Sequence, residues 1–403
     1  MGLATSRMTL QGICRFLAIS VAMLGGLLLA ATSASAQPYG RPVSQPFFDF
    51  DNSARFMNCR PLPYAWGFDP YLQMDGCEED CRGGIIVHRP PSWYVNADFA
   101  PLMYDANVNL SLARIGANGT TLLTTNDLKP EFDAGTRITI GRTFGGGCYQ
   151  VEGGYLGVYS WQTDNTVASN AGAIGNLSSA FSNFRAPPVA GLDNNFRITA
   201  TDFNSFTSAE LNLRTWVNMP PGPFDVQILA GFRYLKAAEN YFYSADSTAP
   251  AFPPPAPTNA ATVLTQNDMY GVQLGIDFDF MISARMYVDC EVKGGILDNF
   301  ASQNTTYVST TSPAGGPPAG TFIGSASKHC TAFFGDICVT GNWQLAPNWS
   351  VRAGYQAIFV NGTALGPLNF QANNSLLRTG PTQLDHSGET IYHGPLLGIS
   401  WTR

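Results

Sequence analysis

Apolar and polar residues alternate one by one along Met269 to Phe280. Tyr270, Val272, Leu274, Ile276, Phe278 and Phe280 fall on one face, and Gly271, Gln273, Gly275, Asp277 and Asp279 on the other. A period of two defines a β-strand whose two sides meet different media. The contrast recurs in segments of about ten residues with large aromatics at their ends, which is the pattern of a strand with lipid outside and a polar interior.

Ten segments follow this rule: Trp93 to Asp105, Thr136 to Phe144, Tyr149 to Trp161, Ser208 to Val217, Phe224 to Leu235, Met269 to Phe280, Arg285 to Leu297, Lys328 to Gln344, Trp349 to Val360 and Thr390 to Trp401. In the third, Tyr149, Val151, Tyr155, Tyr159 and Trp161 share the apolar face by simple alternation. The eighth has two mixed faces. The connections alternate in length: long at 106–135, 163–205, 236–265, 298–327 and 361–389, short at 145–147, 218–223, 280–284 and 345–348. Bacterial barrels combine short periplasmic turns, long outer loops and an even strand number. A soluble β-sandwich would have no reason to sort its loops by end. The prediction is an all-β fold, a transmembrane up-and-down antiparallel β-barrel of about ten strands (range 8–12), with a further small hairpin within 107–124. The long loops, rich in small polar residues and including Pro250, Pro253, Pro254, Pro255 and Pro257, are expected to be solvated surface segments.

Several of these strands carry motifs that resemble a known family. They are Trp93-Tyr-Val-Asn-Ala-Asp-Phe99, Gly135-Thr-Arg-Ile-Thr-Ile-Gly141, Gln150-Val-Glu-Gly-Gly-Tyr155, Gly231-Phe-Arg-Tyr-Leu235, Asn267 to Gly275, Arg352-Ala-Gly-Tyr-Gln356 and His393 to Gly398. On these the region from Ser92 onward resembles the outer-membrane proteins of the beta-barrel porin-7 family. The resemblance implies an outer-membrane barrel with a porin-like label and no catalytic residue.

The first 36 residues have the form of a cleaved export signal: Arg7 and Arg15, an apolar core from Phe16 to Ala31, then Ala34-Ser-Ala36. Residues 37–91, rich in proline, aromatics and cysteine, are read as a periplasmic lead-in or plug, and 92–403 as the barrel. Gln37 to Arg403 keeps all 29 acidic residues and every basic one but Arg7 and Arg15, a net charge of −9. With no basic stripe, nucleic acid is excluded as a partner. After the signal no apolar run is long enough for a spanning helix, so any crossing is made by strands. The expected location is the cell outer membrane, with membrane lipid and, during biogenesis, the barrel assembly machinery as partners. Seven cysteines remain: Cys59, Cys77, Cys81, Cys148, Cys290, Cys330 and Cys338. An odd number leaves one thiol unpaired or bridging to a disulfide partner. Cys59, Cys77, Cys81 and His88 match no standard zinc spacing, so disulfides are the better reading and no cofactor is expected.

The inward faces hold the acids Asp98, Glu152, Glu210, Asp277, Asp289, Glu291 and Asp336 beside the bases Arg137, Arg214, Arg233, Lys293 and Arg352. In a barrel this narrow, charges of both signs are expected to pair, because an unpaired buried charge is costly. The functional reading of the same residues is the lining of a narrow, weakly cation-preferring pore. The alternative is a plugged scaffold or adhesive surface protein acting through its long loops. Protease chemistry at the rim has only Asp385, His386 and His329 to draw on, and residues adjacent in sequence point apart, so no enzyme is expected. No nucleophile elbow, metalloprotease helix or phosphate loop is present.

Overall fold

The computed structural model describes residues 93–116, 118–144, 149–170, 175–217, 224–247, 259–283, 285–310, 318–373 and 382–403. The expected signal peptide and lead-in, the turns at 145–147 and 218–223 and the proline-rich run at 250–257 lie outside them.

Among the described residues ten long strands hydrogen-bond into one closed ring. They are β1 (Trp93–Phe99), β5 (Thr136–Phe144), β6 (Tyr149–Ala168), β8 (Arg197–Trp216), β9 (Phe224–Asp246), β10 (Asn259–Ser283), β11 (Met286–Ser309), β12 (Gly320–Ala346), β13 (Trp349–Thr363) and β14 (Gly388–Thr402). Each pairs antiparallel with its neighbour in that order, and β14 closes on β1 through the Ala97–Ile399 and Phe99–Leu397 registers. The fold is an all-β up-and-down barrel. Its first strand is broken at Pro101, which cannot donate to a ladder, and resumes as β2 (Met103–Ala106) on the same partner. The hairpin expected in 107–124 is present as β3 (Ser111–Ile115) and β4 (Thr121–Thr124); β7 (Leu177–Ser179) adds a third strand to this small sheet.

Two expectations are corrected. The strands on the long-loop side run well past their predicted ends, so the two ends of 163–205 and much of 236–265 and 298–327 are sheet wall rather than solvated loop. Tyr159 and Trp161 do not share a face with Tyr155. The register slips between Leu156 and Tyr159, with Val158 in the left-handed region at φ 73°. The bulge shifts the alternation by one, and both rings turn inward, each 3% exposed.

The ring has opposite polarity at its two ends. Toward the short turns, the apolar side chains point out: Leu274 is 69% exposed, Phe232 67%, Leu211 56% and Leu397 63%. From Tyr270 to Phe280, a strand rising about 3.4 Å per residue and tilted about 40° covers roughly 25 Å. Above Tyr234 and Tyr270 the apolar phase moves to the other face of the same strands. Tyr241, Tyr243 and Ala245 of β9, Ala261 and Val263 of β10, and Tyr307 of β11 point inward and are 2% exposed or less. There they enclose Leu112 and Leu123 of the small sheet, together with Phe181. The last long connection also turns inward. Its helix α1 (Gly366–Asn373) places Phe370 against Tyr241, Tyr243 and Phe181. Gly366 is required there, since a Cβ would stand 2.4 Å from Tyr241 Cβ.

Candidate functional site

The barrel interior is stacked in layers, and the sequence of each strand decides what it contributes. Nearest the short turns, inward positions carry charge. Arg214 of β8 is the hub: it donates to Glu152 at 2.8 Å, to Asp277 at 2.9 Å and to Glu291. Arg137 lies 3.3 Å from Glu291 and donates to Cys338 Sγ at 3.0 Å. Lys293 reaches Glu291 at 2.8 Å and Glu210 at 2.9 Å. Arg233 holds Asp336 at 2.9 Å, stacks over Phe334 and donates through Nε to Ser208. Arg352 sits 3.3 Å from Asp98. Neutral groups complete the shell, with Tyr94 donating to Glu152 at 2.8 Å and Gln356 to Asp336 at 2.9 Å.

All twelve residues singled out from the sequence therefore face the interior. Eleven of them join ion pairs with one another, and Asp289 does not. Such an arrangement satisfies charges that would be expensive alone at low dielectric. Its chemistry is that of mutual neutralisation.

Above the charges lies a layer that simple alternation does not predict. Tyr159 and Trp161 stack at 5.2 Å, Phe206 and Tyr392 at 4.0 Å, and Tyr104 meets both Trp161 and Tyr392 at under 6 Å. Tyr159 Oη donates to Ala100 O and Trp161 Nε1 to Leu102 O, the carbonyls flanking Pro101. Leu235, Met269, Leu297, Ile358 and Val360 fill the gaps around the rings and are fully buried. The sequence signal was the paired aromatics at 159 and 161, masked by the bulge before them.

Higher still, two buried amides and a buried carboxylate serve the inward loop. Asn267 donates to Ala364 O and accepts from Ala364 N, Asn299 donates to Gly362 O, and Glu239 accepts from Gly366 N.

Among the described residues no hydrogen bond or ion pair joins His329 to Asp385 or His386. Asp385 accepts from Ser387 N and Oγ. His329 Nδ1 lies 3.0 Å from Asp298, both well exposed on the outward face beside Phe300. Cys290, Cys330 and Cys338 are free thiols, so no disulfide joins these three; the other four cysteines lie outside the described residues.

No family model and no curated protein matches the chain. Among solved structures it is similar to the outer membrane protease OmpT of Escherichia coli, at 10% identity and TM-score 0.44, covering 77% of this chain and 96% of that one. It is also similar to a FadL homologue of Pseudomonas aeruginosa, at 9% identity and TM-score 0.19, covering 77% and 89%. The Ralstonia pickettii toluene transporter TbuX stands at 9% and 0.19, covering 77% and 88%. At these values the likenesses carry no functional argument.

Proposed function

We propose that the protein is an integral outer-membrane β-barrel with a closed lumen, a surface scaffold that carries its outer strands and inner sheet beyond the bilayer. One observation carries this reading: the apolar face of β9 and β10 changes sides along the strand. A wall with Leu274 and Phe232 outward and charges inward suits lipid outside. The same strands with Tyr241, Tyr243 and Val263 inward suit water outside and a protein core within. Export by the N-terminal signal and insertion by the barrel assembly machinery belong to the same proposal, as does the motif resemblance to the beta-barrel porin-7 family.

The plugged reading is favoured over an open, cation-preferring pore by the packing of the lumen. The aromatic layer and the second core above it lie across the path that an ion would follow. Catalysis forms no part of the proposal; the His329–Asp298 pair stands exposed on the outward face. Resistance to alkaline carbonate extraction and heat-modifiable gel mobility are expected. In planar bilayers the purified protein is expected to give no conductance steps. Regular steps of defined size would replace the scaffold by a pore, and release by carbonate would remove the membrane altogether.

A further inference from the structure

In the charged layer near the short turns, one group of acids is not matched by neighbouring bases. Asp277, Asp279 and Asp289 stand near the short turn joining β10 to β11, with one carboxylate oxygen of each within 4.8 Å of the others. Asp279 is directly opposite Asp289 on β11 and opposite Asp225 on β9. Like charges placed opposite each other on a sheet repel. Among the described residues neither Asp279 nor Asp289 has an ion-pair partner, while the bases around them are engaged with other acids. The three aspartates open onto a cavity of about 130 Å³, which five carboxylates and three guanidinium groups line, an excess of two negative charges.

A second observation points at the same spot. Gln227, directly opposite Asp277 on β9, lines this cavity and is 6% exposed, and its Oε1 is buried without a hydrogen-bond partner. Asp277 Oδ1 is buried and unpartnered too, its Oδ2 being taken by Arg214. An amide oxygen without a donor is a costly thing to bury. It becomes favourable when the missing partner is a cation. Trp216 Nε1, also unpartnered on this cavity, is a donor and suits a water in such an ion's shell.

We infer that Asp277, Asp279, Asp289 and the Gln227 amide oxygen form a binding site for one hard divalent cation, Ca²⁺ by its chemistry, at the short-turn mouth of the barrel. The donor set is oxygen alone, with carboxylates and one amide carbonyl, which hard cations take and thiophilic metals do not. Oxygens on opposite sides of a Ca²⁺ bound at about 2.4 Å stand about 4.8 Å apart, so the three carboxylates can converge on one ion with small side-chain rotations. Water entering through the mouth completes the six to eight ligands. The excess of two negative charges is matched by the ion.

The test is calorimetric titration of CaCl₂ into the full-length protein refolded in detergent, with heat-modifiable mobility confirming that each variant is folded. The wild type is expected to bind one Ca²⁺ per chain. Asp279→Asn/Asp289→Asn is expected to weaken binding at least about tenfold, and Asp298→Asn, an outward carboxylate, to leave it unchanged. Gln227→Leu keeps every charge and is expected to weaken Ca²⁺ binding as well, which decides the matter if the double variant does not fold. Absence of Ca²⁺ binding by the wild type would overturn the inference, as would folded aspartate variants or Gln227→Leu titrating like the wild type.

Discussion

Replacing Arg214 by leucine removes the guanidinium at the centre of the interior network. Its three acceptors are not left equal. Glu291 keeps Arg137 at 3.3 Å and Lys293 at 2.8 Å. Glu152 keeps the Tyr94 hydroxyl at 2.8 Å and the Asn212 amide at 3.4 Å. Asp277, 6% exposed, loses the one ion pair it makes among the described residues. Breaking a buried ion pair from one side costs about 3–5 kcal/mol. With one of three carboxylates orphaned, the low end applies, about 3 kcal/mol, or roughly a hundredfold in the folding equilibrium. Urea unfolding of protein refolded into lipid vesicles, followed by tryptophan fluorescence, measures this directly. Asp277→Asn placed in the Arg214→Leu background is expected to recover part of the loss, because it discharges the orphan. Lys236→Leu is the control: its 4.0 Å ion pair with Asp268 joins side chains 45% and 24% exposed, and solvent screening reduces the effect to less than about 1 kcal/mol. An Arg214→Leu protein that unfolds at the wild-type urea concentration would refute the reasoning, since the network would then contribute nothing beyond filling space.

Three further outcomes are expected. Leu274→Lys destabilises by about 2–4 kcal/mol in bilayers, whereas Leu264→Lys, above Tyr270 on the same outward face, changes stability by less than about 0.5 kcal/mol; equal costs in the urea assay would contradict the belt boundary. In single-tryptophan variants, Trp343, 54% exposed, is quenched by brominated lipid and Trp161 is not; quenching of Trp161 would mean that the bulge before Tyr159 does not reverse the face. Gly366→Ala costs about 1–3 kcal/mol because its Cβ meets Tyr241, and a variant as stable as wild type in urea would show that α1 is not held against β9.

The barrel was legible in the sequence where a single physical rule governs a strand from end to end. Between Tyr270 and Phe280 every second side chain is apolar because one face meets hydrocarbon, and that alternation was enough to place ten strands and to send the charged residues inward. The rule fails at Asn259 to Asp268, where Ala261 and Val263 pack against an inner core while Leu264 stays outside. Both faces then carry apolar residues, the period blurs, and a strand wall resembles a loop. Tyr159 and Trp161 were misplaced for a different reason. One extra residue near Val158 inverts everything after it, and nothing in the chemistry of Gly157-Val158 announces a bulge. The inward charges were found as a set, yet their partners were not, because partners such as Arg214 and Glu291 meet across the lumen and not along a strand. Gln227 went unmarked as a candidate ligand, since a glutamine on a polar face is ordinary until its oxygen proves to lack a donor.

The central claim is that the lower outward face touches lipid while the upper one touches water, and spin labels on β10 test it most directly. In a cysteine-free background, labels at 264, 266, 272, 274 and 276 are placed on the reconstituted protein, and their collision rates are read with oxygen and with a water-soluble nickel chelate. Positions 272, 274 and 276 are expected to be open to oxygen and closed to nickel, and positions 264 and 266 to be open to nickel. Nickel access at 274 equal to that at 264 would contradict the account.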